Sequence, residues 1–155
     1  MALVSRTILV NGSPEEVFDL TQDYSVRTAW DPFPERYALR SPSGSPEPGA
    51  EVHIRAKNGH EMTVRYVSFN RPRAAAMAMV SGPWFLEEFA GTWQFKPAAD
   101  GQTEVTFKYR IVPKPHWLAW FLRPLLTHSF ARHSERRLEG LKRYAAVHLG
   151  LLRQA

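Results

Sequence analysis

Two hydrophobic patterns divide the chain near Pro113. Over residues 50–112, apolar and polar residues alternate with a period of two, which indicates consecutive β-strands. Over residues 115–149, apolar residues recur with the spacing of an α-helix, which Pro124 should kink near its start. Because one amphipathic helix cannot bury its apolar face alone, we expect it to lie across the sheet.

Turn residues divide the alternating region into short strands. Together with a strand near the N-terminus, we predict strands at about residues 3–10, 35–40, 51–57, 61–70, 73–80, 84–96 and 103–112. The pairs Asn58-Gly59 and Asp100-Gly101 mark tight turns, and short connections require antiparallel neighbours. The sequence therefore predicts an α+β fold, with a curved, six- to seven-stranded antiparallel sheet wrapped around a long C-terminal helix. We expect residues 1–155 to form one domain.

Two short helices are predicted after the first strand. The segment Ser13-Pro-Glu-Glu16 supplies a capping serine, a proline at the first helical position and a glutamate three residues after the cap. A second helical turn is expected at about residues 24–29, before Trp30-Asp-Pro-Phe33. Such an insertion is unusual in a chain otherwise rich in strands.

The predicted sheet-facing stripe of the long helix has small residues at one end. Placing residues 100° apart puts the following on that face: Thr127, Ala131, Ser134, Leu138, Leu141 and Ala145. The strands opposite carry Tyr, Trp, Phe and Met, so small residues facing them leave a hollow. We expect this hollow to bind a ligand; an ordinary packed core is the alternative.

The residues expected to line this cavity come from the strands, the helix and the segment before the second strand. They are Trp30, Ile54, Val64, Tyr66, Met77, Phe89, Trp93, Tyr109, Thr127, Phe130, Ala131 and Ser134. We expect Trp30 to be half-buried at the mouth, where a large aromatic side chain gates entry. Asp31 beside it is expected to cap a turn. Aromatic and Met walls favour a planar or polycyclic ligand.

Glu87 and Tyr109 are the candidates for acid–base chemistry, with Tyr66 assisting. If the strand at residues 84–96 is unbroken, Glu87 lies among aromatic residues, where desolvation suits a carboxyl to general-acid catalysis. However, Gly91 in mid-strand often marks a bulge. A bulge would turn Glu88 inward instead, or leave both glutamates at the rim.

Composition and charge narrow the function classes. The chain has no cysteine, and its histidines lack the spacing of metal ligands, so we expect no metal and no cofactor. The first residues lack the order of a signal peptide, and no apolar run is long enough to span a bilayer, so we expect a cytoplasmic protein.

The net charge is +5, and Arg132, Arg136 and Arg143 fall on the outer face of the long helix. Such a face suits an anionic membrane or RNA. Glu135 and Glu139 interrupt it, however, and no aromatic residue is interleaved for base stacking. We expect a solvated face and no nucleic-acid partner, and we leave membrane contact and oligomeric state open.

Six segments along nearly the whole chain carry a family resemblance: Gly12-Ser-Pro-Glu-Glu-Val-Phe18, Trp30-Asp-Pro-Phe33, Gly49-Ala-Glu-Val52, Phe89-Ala-Gly-Thr-Trp-Gln-Phe95, Gly101-Gln-Thr-Glu-Val-Thr-Phe107 and Arg137-Leu-Glu-Gly-Leu-Lys142. Together they resemble the START-like superfamily, also called SRPBCC or helix-grip, and within it the polyketide cyclase/dehydrase-like group. The resemblance implies a deep apolar cavity for lipids, steroids, polyketides, quinones or plant hormones, without fixing one chemistry.

Three functional hypotheses follow. The first is binding of a small hydrophobic molecule that is lipid-, polyketide- or quinone-like, and we expect this one. The second is a polyketide cyclase or dehydratase using Glu87 and Tyr109. Aromatase/cyclase members of the superfamily place an arginine inside, whereas Arg55 and Arg65 alternate outward here, which weakens the second hypothesis. The third is a membrane- or RNA-associated module acting through the basic helix.

Overall fold

The computed structural model describes residues 2–154, with the side chains of residues 3–118 and 120–149. The elements follow in the order β1 (Ala2–Asn11), α1 (Pro14–Gln22), α2 (Arg27–Trp30), β2 (Pro34–Arg40), β3 (Glu51–Ala56), β4 (Glu61–Asn70), β5 (Ala74–Ser81), β6 (Leu86–Pro97), β7 (Gln102–Pro113) and α3 (His116–Gln154). The predicted α+β helix-grip fold, with two short helices after the first strand, is confirmed.

The strands form one seven-stranded antiparallel sheet in the order β1-β7-β6-β5-β4-β3-β2. From β2 to β7 each strand pairs with the next along the chain, and β1 pairs with β7, so that Ile8 lies opposite Val105. The sheet curls into a half-barrel, as twisted antiparallel sheets do. The long helix α3 lies against β1 and β7.

The sheet-facing stripe of α3 is the one that the sequence predicts. Ala131, Ser134, Leu138, Leu141 and Ala145 are buried, and Thr127 is half-buried. Large aromatic side chains of β6 and β7 lie in the same core, among them Trp93, Phe95 and Phe107. Because the stripe changes from small residues to leucines along the helix, the core is filled by α3 only towards its C-terminal half.

The start of β6 departs from the predicted register. Its pairing with β7 shifts between Leu86 and Glu88, so Leu86 is buried while Glu87 and Glu88 are both exposed. A carboxylate oxygen of Glu87 lies 2.7 Å from Nε2 of His116. Of the three arrangements that the sequence left open, neither inward placement is observed and both glutamates are exposed; the irregularity lies at the first residues of the strand rather than at Gly91.

Helix α2 is shorter and begins later than predicted, and it approaches α3 very closely. A Cβ atom at Gly140 would lie 2.0 Å from the backbone carbonyl oxygen of Trp30. Real Cβ atoms do not approach other atoms to that distance, so this contact requires glycine. Gly140 therefore fixes how deeply α2 and Trp30 enter the core.

The first turns of α3 expose a patch of large apolar side chains, which we call the aromatic end. Trp117, Trp120, Phe121 and Leu125 are 65–76% exposed there. Large apolar side chains clustered on a surface commonly mark an interaction site. None of the helices within the described residues is both long and apolar enough to cross a membrane.

Candidate functional site

A hollow opens between the sheet and the half of α3 that carries small residues, as the sequence predicts. The space inside it that a water-sized sphere can occupy is about 40 Å³. This inner hollow is lined by Tyr24, Arg27, Phe33, Tyr37, Ile54, Met62, Val64, Met77, Phe89, Gly91, Phe107, Tyr109, Phe130, His133, Ser134 and Arg137. An outer hollow shares Phe33 and Phe130 with it and extends to Phe85 and Leu126.

The structure brings some of the candidate binding residues to this hollow and places others elsewhere. Those that border the inner hollow are Ile54, Val64, Met77, Phe89, Tyr109, Phe130 and Ser134. Those that do not border it are Trp30, Tyr66, Trp93, Thr127 and Ala131. The hollow lies to one side of the α3 stripe, so α3 contributes flanking residues such as His133 and Arg137 in addition to Ser134.

Trp30 lies in the core and not at the mouth. It is only 4% exposed, and its ring meets that of Trp93 edge-on, with ring centroids 6.3 Å apart. The close approach at Gly140 carries it inward. Above it, the guanidinium carbon of Arg27 lies 4.9 Å from the Trp30 ring centroid. The predicted gating position was therefore wrong, and Trp30 supports a charged residue instead.

A buried cluster of charged residues forms part of the wall of the inner hollow. Oδ2 of Asp31 accepts hydrogen bonds from Nε of Arg27 and Nε of Arg137, each at 3.0 Å, and from the hydroxyl of Tyr37 at 3.1 Å. Oδ1 accepts the backbone N–H of Phe33 at 3.1 Å, which is the turn-capping role that the sequence predicts. The carboxylate of Asp31 is thus occupied on both oxygens and joins α2, β2 and α3.

The two arginines of this cluster differ in exposure and in their hydrogen-bond partners. Arg27 is fully buried, and its Nη1 donates to the backbone oxygen of Thr21 at 2.6 Å. The side chain of Arg137 is 13% exposed, and its guanidinium carbon lies 5.0 Å from the ring centroid of Phe107 and 5.5 Å from that of Phe33. Within the described side chains, neither Nη1 nor Nη2 of Arg137 has a hydrogen-bond partner.

Opposite charge outweighs burial at Asp31. Burial alone would raise the pKa of its carboxyl group, but the Arg137 and Arg27 guanidiniums hold that pKa below its ordinary value. Burial would lower the pKa of Arg27, whereas Tyr37 and Asp31 raise it above the ordinary value. At neutral pH the cluster therefore holds two guanidinium cations and one carboxylate, which leaves one positive charge uncompensated.

The buried tyrosines differ in hydrogen bonding. The hydroxyl of Tyr66 donates to Oε1 of Gln22 at 2.6 Å and lies 2.5 Å from the hydroxyl of Tyr24. The hydroxyl of Tyr109, which is near Ser134, has no hydrogen-bond partner among the described residues. Burial raises the pKa of Tyr109 to about 12, so the hydroxyl keeps its proton. It is therefore a protonated hydroxyl on a residue that lines the hollow, and Ser134 is the polar side chain beside it.

His133 lines both hollows, with its ring 5.5 Å from that of Phe33 between centroids. Burial first, and then the positive charges of Arg136 and Arg137, lower the pKa of His133. Its imidazole is consequently neutral at neutral pH and adds no charge to the wall. Across residues 2–154, no three His, Asp or Glu side chains converge as metal ligands would.

Comparison with known proteins agrees with this architecture. The model of a family described as polyketide cyclase/dehydrase and lipid transport matches residues 1–146. Similar solved structures include the protein XoxI from Bacillus cereus, which is 18% identical with a TM-score of 0.74, covering 95% of this chain and 97% of that chain. A START superfamily protein from Mycobacterium smegmatis is 13% identical with a TM-score of 0.76, covering 92% and 96%.

The Zhui aromatase/cyclase from Streptomyces sp. R1128 is 15% identical with a TM-score of 0.78, covering 93% of each chain. Identities this low show a shared fold and leave ligand and reaction open. No curated protein matches the chain.

Proposed function

The chain belongs to the polyketide cyclase/dehydrase and lipid transport family, and we propose on that basis that it binds a small hydrophobic molecule, planar or polycyclic, in the inner hollow. The observation that carries the proposal is the unpartnered Tyr109 hydroxyl in a wall built mostly of aromatic, aliphatic and Met side chains. A buried hydroxyl without a partner costs about 1–3 kcal/mol. A ligand oxygen that accepts from Tyr109 would recover that energy.

The apolar wall supplies the larger part of the expected affinity. Burying roughly 200 Å² of apolar ligand surface contributes about 5 kcal/mol at about 25 cal/mol per Å², before the costs of association. Met62 and Met77 add adaptable surface to an otherwise rigid aromatic wall. The site therefore favours flat apolar molecules and tolerates variation in their outline.

Cyclase or dehydratase chemistry is the alternative, and it needs an interior group that gives or takes a proton. Glu87 lies outside the hollow, so the predicted pair with Tyr109 does not form. Asp31 is inside, but both of its oxygens are occupied and two arginines hold its pKa low. The absence of a free carboxyl group among the described lining residues favours binding over catalysis, whereas Arg27 and Arg137 do supply the interior arginine that the cyclase hypothesis expects.

Ser134→Trp tests the proposal, because its indole would fill the inner hollow. We expect the wild-type protein to enhance the fluorescence of N-phenyl-1-naphthylamine, an uncharged probe, and the variant to lose at least about tenfold in affinity. Overpacking should cost about 1–3 kcal/mol of stability, so circular dichroism must confirm that the variant is folded. Glu139→Trp on the exposed side of α3 is the matched control and should bind like the wild type.

Full probe affinity in a folded Ser134→Trp variant would place the binding site elsewhere. Native mass spectrometry of gently purified protein gives an independent test of the same proposal. A retained hydrophobic molecule, absent from the Ser134→Trp variant, is the expected result and would identify the chemical class of the ligand.

The aromatic end of α3 supports a second candidate function, contact with a lipid bilayer. Tryptophan and phenylalanine side chains favour the boundary between headgroups and acyl chains. Phe121 is five residues before Leu126, which lines the outer hollow, so the two are about 7 Å apart along the helix axis. A bilayer at the aromatic end would thus lie beside the mouth, from which an apolar ligand could enter.

Vesicle flotation with the double variant Trp117→Ser/Trp120→Ser tests this candidate. Partial insertion of one tryptophan, roughly 100 Å², contributes about 2.5 kcal/mol, so the double variant should bind phosphatidylcholine/phosphatidylglycerol vesicles at least ~100-fold less. The control is Arg132→Gln/Arg136→Gln on the exposed basic face, which should change binding far less. The reverse order of effects would assign the contact to the basic face, and equal binding by all three proteins would refute contact at either.

A further inference from the structure

The inner hollow is lined by a positive charge that no described carboxylate neutralises. Asp31 is shared between Arg27 and Arg137, each through one hydrogen bond at 3.0 Å. Desolvating a charge without a partner is expensive, so such a charge normally finds a counter-ion. The outer hollow is lined by one carboxylate, that of Glu61, which is exposed and has its Oε1 3.7 Å from Nε2 of His53.

Arg137 is the residue on which the excess charge is available. Its Nε faces Asp31, while its two terminal nitrogens have no hydrogen-bond partner among the described residues. The guanidinium is wedged over Phe107 and Phe33, which hold its plane in place. Arg27, by contrast, uses Nη1 on the Thr21 backbone.

A second donor lies in the same wall. The Tyr109 hydroxyl is buried and unpartnered, and Ser134 is buried near it. A guanidinium edge together with a phenol is a donor set for an oxyanion, since charge-assisted hydrogen bonds to carboxylate are about twice as strong as neutral ones. The remaining wall consists of aromatic rings, aliphatic side chains and Met.

From this arrangement we infer that the ligand is an organic anion: a flat apolar body carrying a single carboxylate, which Arg137 binds through its terminal nitrogens while Tyr109 donates to the same group. The inference rests on the proposed function and specifies its substrate class. A neutral ligand of the same shape would leave the guanidinium charge uncompensated. The site should therefore discriminate by charge between molecules of equal size.

The test compares 2-naphthoate with 2-naphthamide, which share one ring system and differ by the charge, using isothermal titration calorimetry near pH 7. We expect the wild-type protein to bind the carboxylate about tenfold to hundredfold more tightly than the amide. Arg137→Gln should remove this preference, so that the variant binds the acid and the amide with similar affinity. Arg136→Gln, one residue away and exposed, removes the same charge outside the hollow and should keep the preference.

A measurement on the wild-type protein covers the case in which Arg137→Gln does not fold. The ¹³C shift of carboxyl-labelled 2-naphthoate follows its ionisation, and the ligand should stay ionised to lower pH when bound than when free.

Equal affinity for acid and amide, or failure of both while N-phenyl-1-naphthylamine still binds, would overturn the inference and leave the proposed function standing. Failure of all three probes would overturn the proposed function itself. A preference that persists in folded Arg137→Gln and vanishes in Arg136→Gln would place anion recognition on the surface and refute the inference.

Discussion

Replacing Asp31 by alanine is expected to lower the free energy of unfolding by about 3–5 kcal/mol, because it leaves Arg27 and Arg137 buried without their shared counter-ion. The variant also loses the acceptor of the Tyr37 hydroxyl. Urea unfolding followed by tryptophan fluorescence measures the change. The expected result is one of the largest losses that a single substitution produces.

The matched control is Asp19→Ala, which removes a surface partner of an arginine. Asp19 and Arg71 form a closer pair, at 2.7 Å, but about half of each side chain is exposed. Such pairs contribute about 0–1 kcal/mol, so the control should change little. Similar losses in both variants would show that burial of the Asp31 cluster does not determine its contribution.

Lowering the pH should reduce the contribution of ionised Asp31 to the free energy of unfolding in the wild-type protein. Because Asp31 has a pKa below its ordinary value in the folded protein, its ionised form stabilises the fold above the ordinary pKa of an unfolded aspartate, about 3.9. That stabilisation is lost as pH falls through the lowered pKa. Asp31→Asn should therefore flatten the acid limb of the stability profile, and an unchanged slope would contradict this assignment.

Gly140→Ala is the second substitution with a large expected effect on stability. Helix propensity and a steric contact act in opposite directions and decide the sign of that effect. Alanine in a helix gains about 1 kcal/mol over glycine. The added Cβ, however, would lie 2.0 Å from the Trp30 carbonyl oxygen, which belongs to the backbone and cannot rotate away. Moving α2 off α3 costs about 1–3 kcal/mol or more and strains the Arg27–Asp31–Arg137 contacts.

We therefore expect Gly140→Ala to be destabilising by up to about 2 kcal/mol and to weaken 2-naphthoate binding, since α2 carries Arg27. Glu139→Ala, at an exposed neighbouring position, should stay within about 0.5 kcal/mol of the wild type. Differential scanning calorimetry of the three proteins is the measurement. An increase in thermal stability for Gly140→Ala would show that helix propensity outweighs the steric contact.

The fold followed from the sequence because its signals are local. Period-two alternation, the Ser13 cap and the α3 stripe each depend on residues a few positions apart, and each reappears in the structure. Tyr109 and Ser134 border the inner hollow because their inward direction follows from the same local periodicity. No local sequence signal indicates the bulge at Glu87, because the bulge depends on how β6 pairs with β7.

The sequence did not predict that Arg27 and Arg137 line the hollow, because charged residues are usually exposed to solvent. A signal for one of them was nonetheless present. Arg137 lies three residues after Ser134 and four before Leu141, the spacing of the buried helix face. Arg27 and Asp31 are four apart, the spacing of a helical ion pair, but α2 is too short to predict with that register. A charged residue within the apolar stripe of a helix thus indicates an interior site.

The pairing of β1 with β7, and of Asp31 with Arg137, joins segments that are far apart in the sequence, the latter across 106 positions. During translation, α2 and β2 leave the ribosome long before α3 exists, so the early chain carries Arg27 and Asp31 as a balanced pair. Only the last segment brings the extra cation and closes the wall. Contacts this distant in sequence also form late in folding. The proposed site is therefore incomplete until α3 has been synthesised and has packed against the sheet.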